Sequence, residues 1–166
     1  MRINSGIGER NMATLTTNKN YLNPIGFKLV IDSTRYANTE YFCTAVNHPD
    51  VFVGEGTLNI PGLNSFIPGD TVSYGTLTVS IIIDENMTSY IEMVEWLKSV
   101  VQSQKSVTED ISLQVLSSHS NVVKTIRYKD AFPTNIGSVN FQSTVDGIQF
   151  LTFPVTFAYT TFTITE

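Results

Sequence analysis

Few residues in this chain are of the types that do chemistry, and they stand apart in the sequence. His48, in the run Asn47-His48-Pro49-Asp50, could belong to a metal or acid–base site, but such a site needs further ligands or a second titrating group. The other histidine, His119, lies in a separate polar run, and no pair of carboxylates at ligand spacing accompanies either one. We therefore interpret both histidines as surface turn residues and predict no metal site.

The candidates for nucleophilic or phosphate-binding chemistry also lack the context that such chemistry needs. Cys43 is the only cysteine, no activating base accompanies it, and its apolar surroundings predict a buried thiol. Gly6-Ile7-Gly8 is half of a dinucleotide-binding fingerprint, but it follows no predicted strand and precedes no predicted helix. We therefore predict that the chain is not an enzyme, with no catalytic residue and no cofactor.

Asn86-Met87-Thr88 fits the acceptor pattern for N-glycosylation, but it also opens the one convincing helix, predicted at about residues 86–103. Asn86 can cap the first turn there, with Asp84 at the positive end of the helix dipole, so we prefer the cap to the glycan. We interpret the tryptophan and methionines of this helix as packing residues. Its apolar arc consists of Met87, Ile91, Val94, Leu97 and Val101, widened by Met93, Trp96 and Val100.

The composition indicates a largely uncharged surface. Charged residues make up 15% of the 166 residues, against about 25% in typical proteins, and 21 threonines supply much of the polarity. A neutral surface rich in hydroxyl groups suits repeated self-association, although a monomeric threonine-rich β-domain remains the alternative. The net charge of −5 argues against a protein that grips nucleic-acid phosphates, but not against one that lets DNA slide past.

Two long segments alternate with the period of a strand that has one buried face. In Tyr74–Ile83 and Leu151–Tyr159 the odd positions are apolar, and most even positions are small or weakly polar. We therefore expect the odd positions to form the core. The neutral side chains that then face away from the core together are Thr76, Thr78, Ser80, Thr152 and Thr156.

Turn residues predict how the strands are connected. Asp146-Gly147 favours a tight turn that would pair the run Val139–Phe141 with the strand beginning at Leu151. We likewise predict that Phe27–Ile31 and Tyr41–Val46 pair as an antiparallel hairpin. Beyond Thr160 the apolar residues change face, which predicts either a bulge or a new covering for that face. The residues affected are Phe162 and Ile164.

A glycine- and proline-rich segment at about residues 54–72 is too long to be an idle connection. It is either an extended hairpin or a loop used in contacts, and its apolar residues favour contacts between subunits. The residues that we expect at such contacts are Leu58, Ile60, Leu63, Phe66 and Ile67, together with Phe162 and Ile164.

One domain, residues 23–166, preceded by an N-terminal arm, residues 1–22, is the organisation that we predict. The arm has no periodicity, and we expect it to be ordered only by a partner. No apolar run reaches the roughly 18 residues of a membrane span, and no signal peptide is recognisable. The predicted fold is mainly β, with two packed antiparallel sheets and one flanking α-helix.

Several of these segments resemble the tail tube proteins of contractile-tailed, T-even-type bacteriophages. The resemblance rests on the run Lys129–Gly137 (Lys-Asp-Ala-Phe-Pro-Thr-Asn-Ile-Gly), the later run Phe153–Tyr159, the segment Asn23–Phe27 and the strand that enters Asp84–Leu97. It extends over most of the chain from Asn23 to Ile164. The long arm would also suit a baseplate tube initiator or a tail terminator.

The resemblance implies a structural virion protein, made in the host cytoplasm, whose hexameric rings stack into a tube that conducts the genome. It implies contacts with the tail sheath protein and the baseplate tube proteins, and passage of phage DNA without specific binding. The threonine faces could then line the lumen, where an acidic chain would repel phosphates. A monomeric β-sandwich binding module is the alternative.

Overall fold

The structure, a computed structural model, describes residues 21–31, 42–60, 62–102, 107–142 and 150–166. Most of the predicted arm and the Asp146-Gly147 turn lie outside these ranges, so the division into arm and domain stays a prediction. Within them, no helix is both long and apolar enough to cross a membrane.

The described residues form two antiparallel sheets and one helix, which confirms the predicted mainly β fold class. The larger sheet has seven strands and the smaller one is a two-stranded hairpin. The elements are β1 (Phe27–Val30), β2 (Cys43–Asn47), β3 (Val51–Ile60), β4 (Leu63–Tyr74), β5 (Leu77–Ile82), α1 (Thr88–Gln102), β6 (Glu109–Leu116), β7 (Val122–Ile136), β8 (Thr152–Ala158) and β9 (Thr161–Thr165).

The long strand β7 joins the two halves of the large sheet, whose order is β1-β6-β7-β8-β5-β2. Its first half pairs with β6 and β9, and its second half, from Phe132, pairs with β8. The change occurs at Asp130, which has a positive φ of 54°. The end strands β1 and β2 approach each other, so the sheet curves around the core.

The core follows the predicted alternation. Both predicted amphipathic strands bury their odd positions, and β1, β6 and β7 contribute the other wall. Ring contacts join α1 to β8, with Trp96 against Phe157 (centroids 5.6 Å apart) and Tyr90 edge-on to Phe153 (5.2 Å). The residues buried from the two alternating strands are Leu77, Val79, Ile81, Phe153, Val155 and Phe157.

Two predicted hairpins are wrong. Phe27–Ile31 does not pair with the strand that follows it, because β1 pairs with β6 and β2 pairs with β5. No strand forms over 137–142, and β8 instead lies between β5 and β7. Beyond Thr160 the chain starts a new strand, β9, on the first half of β7, which explains why the apolar face changes there.

The helix buries one edge of its predicted apolar arc, the widening residues Met93 and Trp96, rather than the centre of that arc. Its buried residues are Ser89, Met93 and Trp96, whereas Ile91 and Val101 are 50% and 81% exposed. The small Ser89 side chain lets the helix approach the sheet closely, with its hydroxyl 3.0 Å from the carbonyl oxygen of Ile82. A buried serine is tolerated because it is hydrogen-bonded, and the apolar residues alone therefore did not predict that Ser89 belongs to the buried face.

The start of the helix also corrects a prediction. Asn86 is exposed and does not cap it, because Asp84 does so from further upstream. The Ser89 backbone N–H donates to Asp84 Oδ1 over 3.0 Å, and this bond is the main reason that the pKa of Asp84 is lowered to about 2. Met87 has a positive φ of 55°, and this backbone turn brings the Asp84 carboxylate to the first turn of α1.

We predict that Asp84→Ala lowers the thermal midpoint of unfolding by about 2–4 °C at pH 7, a shift typical of a lost cap in a domain of this size. Because the pKa is lower in the folded state, this carboxylate stabilises the fold above its ordinary pKa of 3.8 and ceases to do so as the pH falls through about 2. The difference between parent and variant should therefore shrink over that acid range in thermal scans. Asn86→Ala is the control. An equal decrease in the thermal midpoint from this variant would show that Asn86 caps the helix.

Candidate assembly surfaces

One half of the large sheet carries no charge. It consists of β2, β5, β8 and the second half of β7, Phe132–Ile136, and none of these segments contains Asp, Glu, Lys or Arg. We call it the neutral half. The other half, made of β1, β6, the first half of β7 and β9, holds all the charges of the sheet, such as the Arg127–Asp110 ion pair at 2.7 Å. The two halves therefore present surfaces of different chemistry.

The structure brings the five predicted lumen residues to the side of the neutral half that faces away from the core. Thr78 lies directly opposite Thr156, Ser80 opposite Pro154, and Ile82 opposite Thr152. Thr76 and Thr152 are exposed, and the other three are half-buried. Asn47 of β2 and Asn135 of β7 extend the same polar, uncharged surface at either side. Whether this surface lines a channel stays a prediction.

Among the described strands, the neutral half ends on each side in a strand edge that has no hydrogen-bonded partner. β2 pairs only with β5, and the second half of β7 pairs only with β8 among the described strands. Neither edge carries a charged residue that would discourage pairing with another chain. No charge on the two edges therefore opposes pairing with a strand of another copy, although β1 approaches β2 and α1 contacts β7.

Beyond one end of the neutral half stands the β3–β4 hairpin, which was one of the two structures predicted for the segment 54–72. Its strands pair with each other and pack extensively on no other described element. A two-stranded ribbon is marginal by itself in water. The apolar side chains exposed on it are Val51, Phe52, Val53, Phe66, Ile67, Val72 and Tyr74.

The other predicted contact residues differ among themselves. Phe66 is 67% exposed and Ile67 and Ile164 are also exposed, as a contact site requires. Phe162 is half-buried in the subunit's own core. The side chains of the remaining three, Leu58, Ile60 and Leu63, lie outside the described residues.

Two exposed phenylalanines at the opposite end of the neutral half were missed. Phe141 (71% exposed) follows Gly137, whose N–H donates to the Pro154 carbonyl, and Phe150 (73% exposed) precedes β8. Both therefore lie beyond the Thr152 end of β8, away from the hairpin. The signal available in the sequence was their position on either side of a predicted turn, but Phe141 was predicted to lie in a strand.

An aromatic cluster lies at the base of the hairpin, made of His48, Tyr74, Tyr128, Tyr159 and Phe162. The hydroxyl of Tyr128 and Nδ1 of His48 share a hydrogen bond of 2.7 Å. Burial raises the pKa of the tyrosine hydroxyls of Tyr128 and Tyr159 and lowers the pKa of His48. His48 is thus exposed in a loop, as predicted, but its ring also shares a hydrogen bond with the buried Tyr128.

The other candidate groups show no convergent chemistry. His119 lies exposed in the β6–β7 turn, and burial raises the pKa of the Cys43 thiol to about 12. In the described part of the chain no three His, Cys, Asp or Glu side chains are close enough to hold a metal ion. The surfaces suited to function are therefore the neutral half, its edges and the apolar groups at its two ends.

Comparison with known proteins shows what the whole chain is similar to. A model of the phage tail tube protein family matches residues 11–165. The tail tube terminator protein of Enterobacteria phage T4 is 30% identical over 105 residues, which are 58% of this chain. The match spans 60% of the length of that relative.

Solved structures share the fold at low identity. The tube-terminating cap of the anti-feeding prophage superposes with a TM-score of 0.69 at 16% identity, covering 94% of this chain and 98% of that one. A chain of the sheath–tube complex of the extracellular contractile injection system PVC, in the extended state, gives 0.67 at 15% identity, covering 92% and 99%. At such identities the likeness establishes the fold.

Proposed function

The chain belongs to the phage tail tube protein family, a family of structural tail proteins, and from this premise we propose that it forms a closed ring at the end of the tail tube, as a tube terminator. The T4 relative is a tail tube terminator and the anti-feeding prophage structure is a tube-terminating cap, and both likenesses support a place at the tube end. In this role the chain acts by assembly and catalyses no reaction.

The observation that carries the proposal is the neutral half, which ends among the described strands in two edges without a hydrogen-bonded partner. A head-to-tail contact, in which the β2 edge of one copy meets the β7 edge of the next, leaves no edge exposed once the ring closes. Six copies would form such a ring, the number that the family resemblance implies. The five neutral residues would then face the channel, where hydroxyl groups offer phosphates no charge to bind.

The hairpin suits the contact between this ring and the tube. Its exposed apolar side chains need a covering that the subunit does not supply, and the end of a tube of related subunits can supply one. Tail sheath and baseplate tube proteins are further proposed partners. The protein would be made in the host cytoplasm and built into the virion.

A second candidate function, the main tube subunit, is favoured by one observation. Apolar side chains are exposed at both ends of the neutral half, on the hairpin and at Phe141 and Phe150. A ring that stacks on identical rings needs contact surfaces on both faces, whereas a terminator needs only one that binds the tube. The two roles therefore differ in whether one end of the neutral half or both ends contact other rings.

Light scattering after size-exclusion chromatography, with negative-stain microscopy of the chain alone and mixed with preformed tail tubes, tests the proposal. We expect discrete rings that bind at tube ends. Long tubes of the chain alone would favour the main tube subunit. A species that stays monomeric at high concentration and does not bind tubes would contradict both roles. The monomeric β-sandwich binding module would then be favoured.

A further inference from the structure

The hairpin leaves the domain through two chain segments that both enter the aromatic cluster. His48 lies just before β3, and Tyr74 is the last residue of β4. The backbone at this base is held by the Gly75 N–H, which donates to the Asp50 carbonyl over 2.9 Å. A Cβ at residue 75 would meet the Asp50 carboxylate, which would have to rotate away.

Phe162 lies against both segments at once. Its ring meets His48 edge-on, with centroids 5.1 Å apart and planes at 78°, and meets Tyr74 at 5.4 Å and 69°. These are the edge-to-face geometries that aromatic pairs prefer. Phe162 belongs to β9, which is paired with β7. Its ring therefore packs both segments of the hairpin base against the large sheet.

Tyr128 completes the attachment from β7. Its ring is fully buried, and its hydroxyl shares the 2.7 Å hydrogen bond with His48. Aromatic rings have few rotatable bonds, so a cluster of them holds its geometry at a low cost in side-chain entropy. The rest of the hairpin has no extensive packing on the described domain that could set its direction.

We propose that the aromatic cluster fixes the angle at which the hairpin leaves the domain, which makes His48, Tyr128 and Phe162 positioning residues for assembly. The inference rests on the proposed function in one respect, namely that the hairpin contacts other subunits. It assigns Phe162 a role different from the direct subunit contact expected from the sequence. A hairpin held at one angle loses less entropy on binding than one that samples many angles.

Distance measurement by pulsed electron paramagnetic resonance tests the angle directly. In a Cys43→Ser background of the full chain, spin labels at Thr71→Cys on β4 and Ser118→Cys in the β6–β7 turn report the separation of hairpin and domain; both sites are exposed. Tyr128→Phe removes the hydroxyl but keeps the ring, and His48→Ala removes the other partner. We expect both to broaden the distance distribution of the parent and to raise the concentration needed for assembly by roughly tenfold.

Tyr90→Phe is the matched control, because Tyr90 contacts the core through Phe153 and lies outside the cluster. It should leave both the distance distribution and assembly unchanged. If Tyr128→Phe and His48→Ala both keep the parent distribution while the fold is intact, the proposal is overturned. If the parent itself fails to assemble, the proposed function fails, but the distance distributions still decide whether the cluster positions the hairpin.

Discussion

Replacing Phe66 and Ile67 by serine is expected to abolish binding of the ring to the tail tube while leaving the subunit folded. Both side chains are exposed in the subunit, so the change should alter its free energy of unfolding by about 0.5 kcal/mol or less. Burying one such side chain in a contact gives about 1.5–3 kcal/mol, so each replacement should weaken a subunit's contact by about 10- to 100-fold. Cosedimentation with preformed tubes measures the binding, and thermal unfolding measures the stability of the subunit.

The matched control replaces Phe141 and Phe150 by serine at the other end of the neutral half. For a terminator we expect this variant to bind tubes normally, because only the hairpin end contacts the tube. Loss of binding from both variants would favour the main tube subunit, which needs both ends. Normal binding by the Phe66→Ser, Ile67→Ser variant would show that the hairpin is not the contact.

Lysine at Thr76 and Thr152 is expected to convert a ring that ignores DNA into one that retains it. These two threonines are the exposed ones among the five neutral residues; Thr76 directly precedes β5 and Thr152 begins the neighbouring β8. We avoid the pair Thr78 and Thr156 because they lie directly opposite each other, where two like charges repel. Retention of linear double-stranded DNA should fall about tenfold between 50 and 200 mM salt for every two phosphates contacted.

The control places the same charges on the other half of the sheet, with Thr163→Lys on β9 and Ser118→Lys in the β6–β7 turn. Both positions are exposed, and the change in net charge is identical. Equal DNA retention by the two variants would mean that charge alone attracts DNA and that the neutral face is not a channel wall. Retention by the Thr76→Lys, Thr152→Lys variant alone would place that face along the path of the DNA.

Much of the candidate site was accessible from the sequence because it depends on local geometry. The period of two in Tyr74–Ile83 and Leu151–Tyr159 separates two faces of a strand whatever its partners are, and the buried odd positions agree with that. The hairpin at 54–72 was one of two predicted structures for the same local reason. Phe141 was missed as a contact residue because a strand was predicted in a region where none forms.

The sequence by itself determined which faces of the two long strands are apolar and that one helix follows β5. Only the tertiary structure decided which strands are neighbours, because β1 pairs with β6 and β8 pairs with β5 across long stretches of chain. It also decided which helix face is buried and that Phe162 turns inward. A helix with a wide apolar arc and an edge strand with apolar residues can each bury more than one face, and the choice depends on what the rest of the core leaves to be filled.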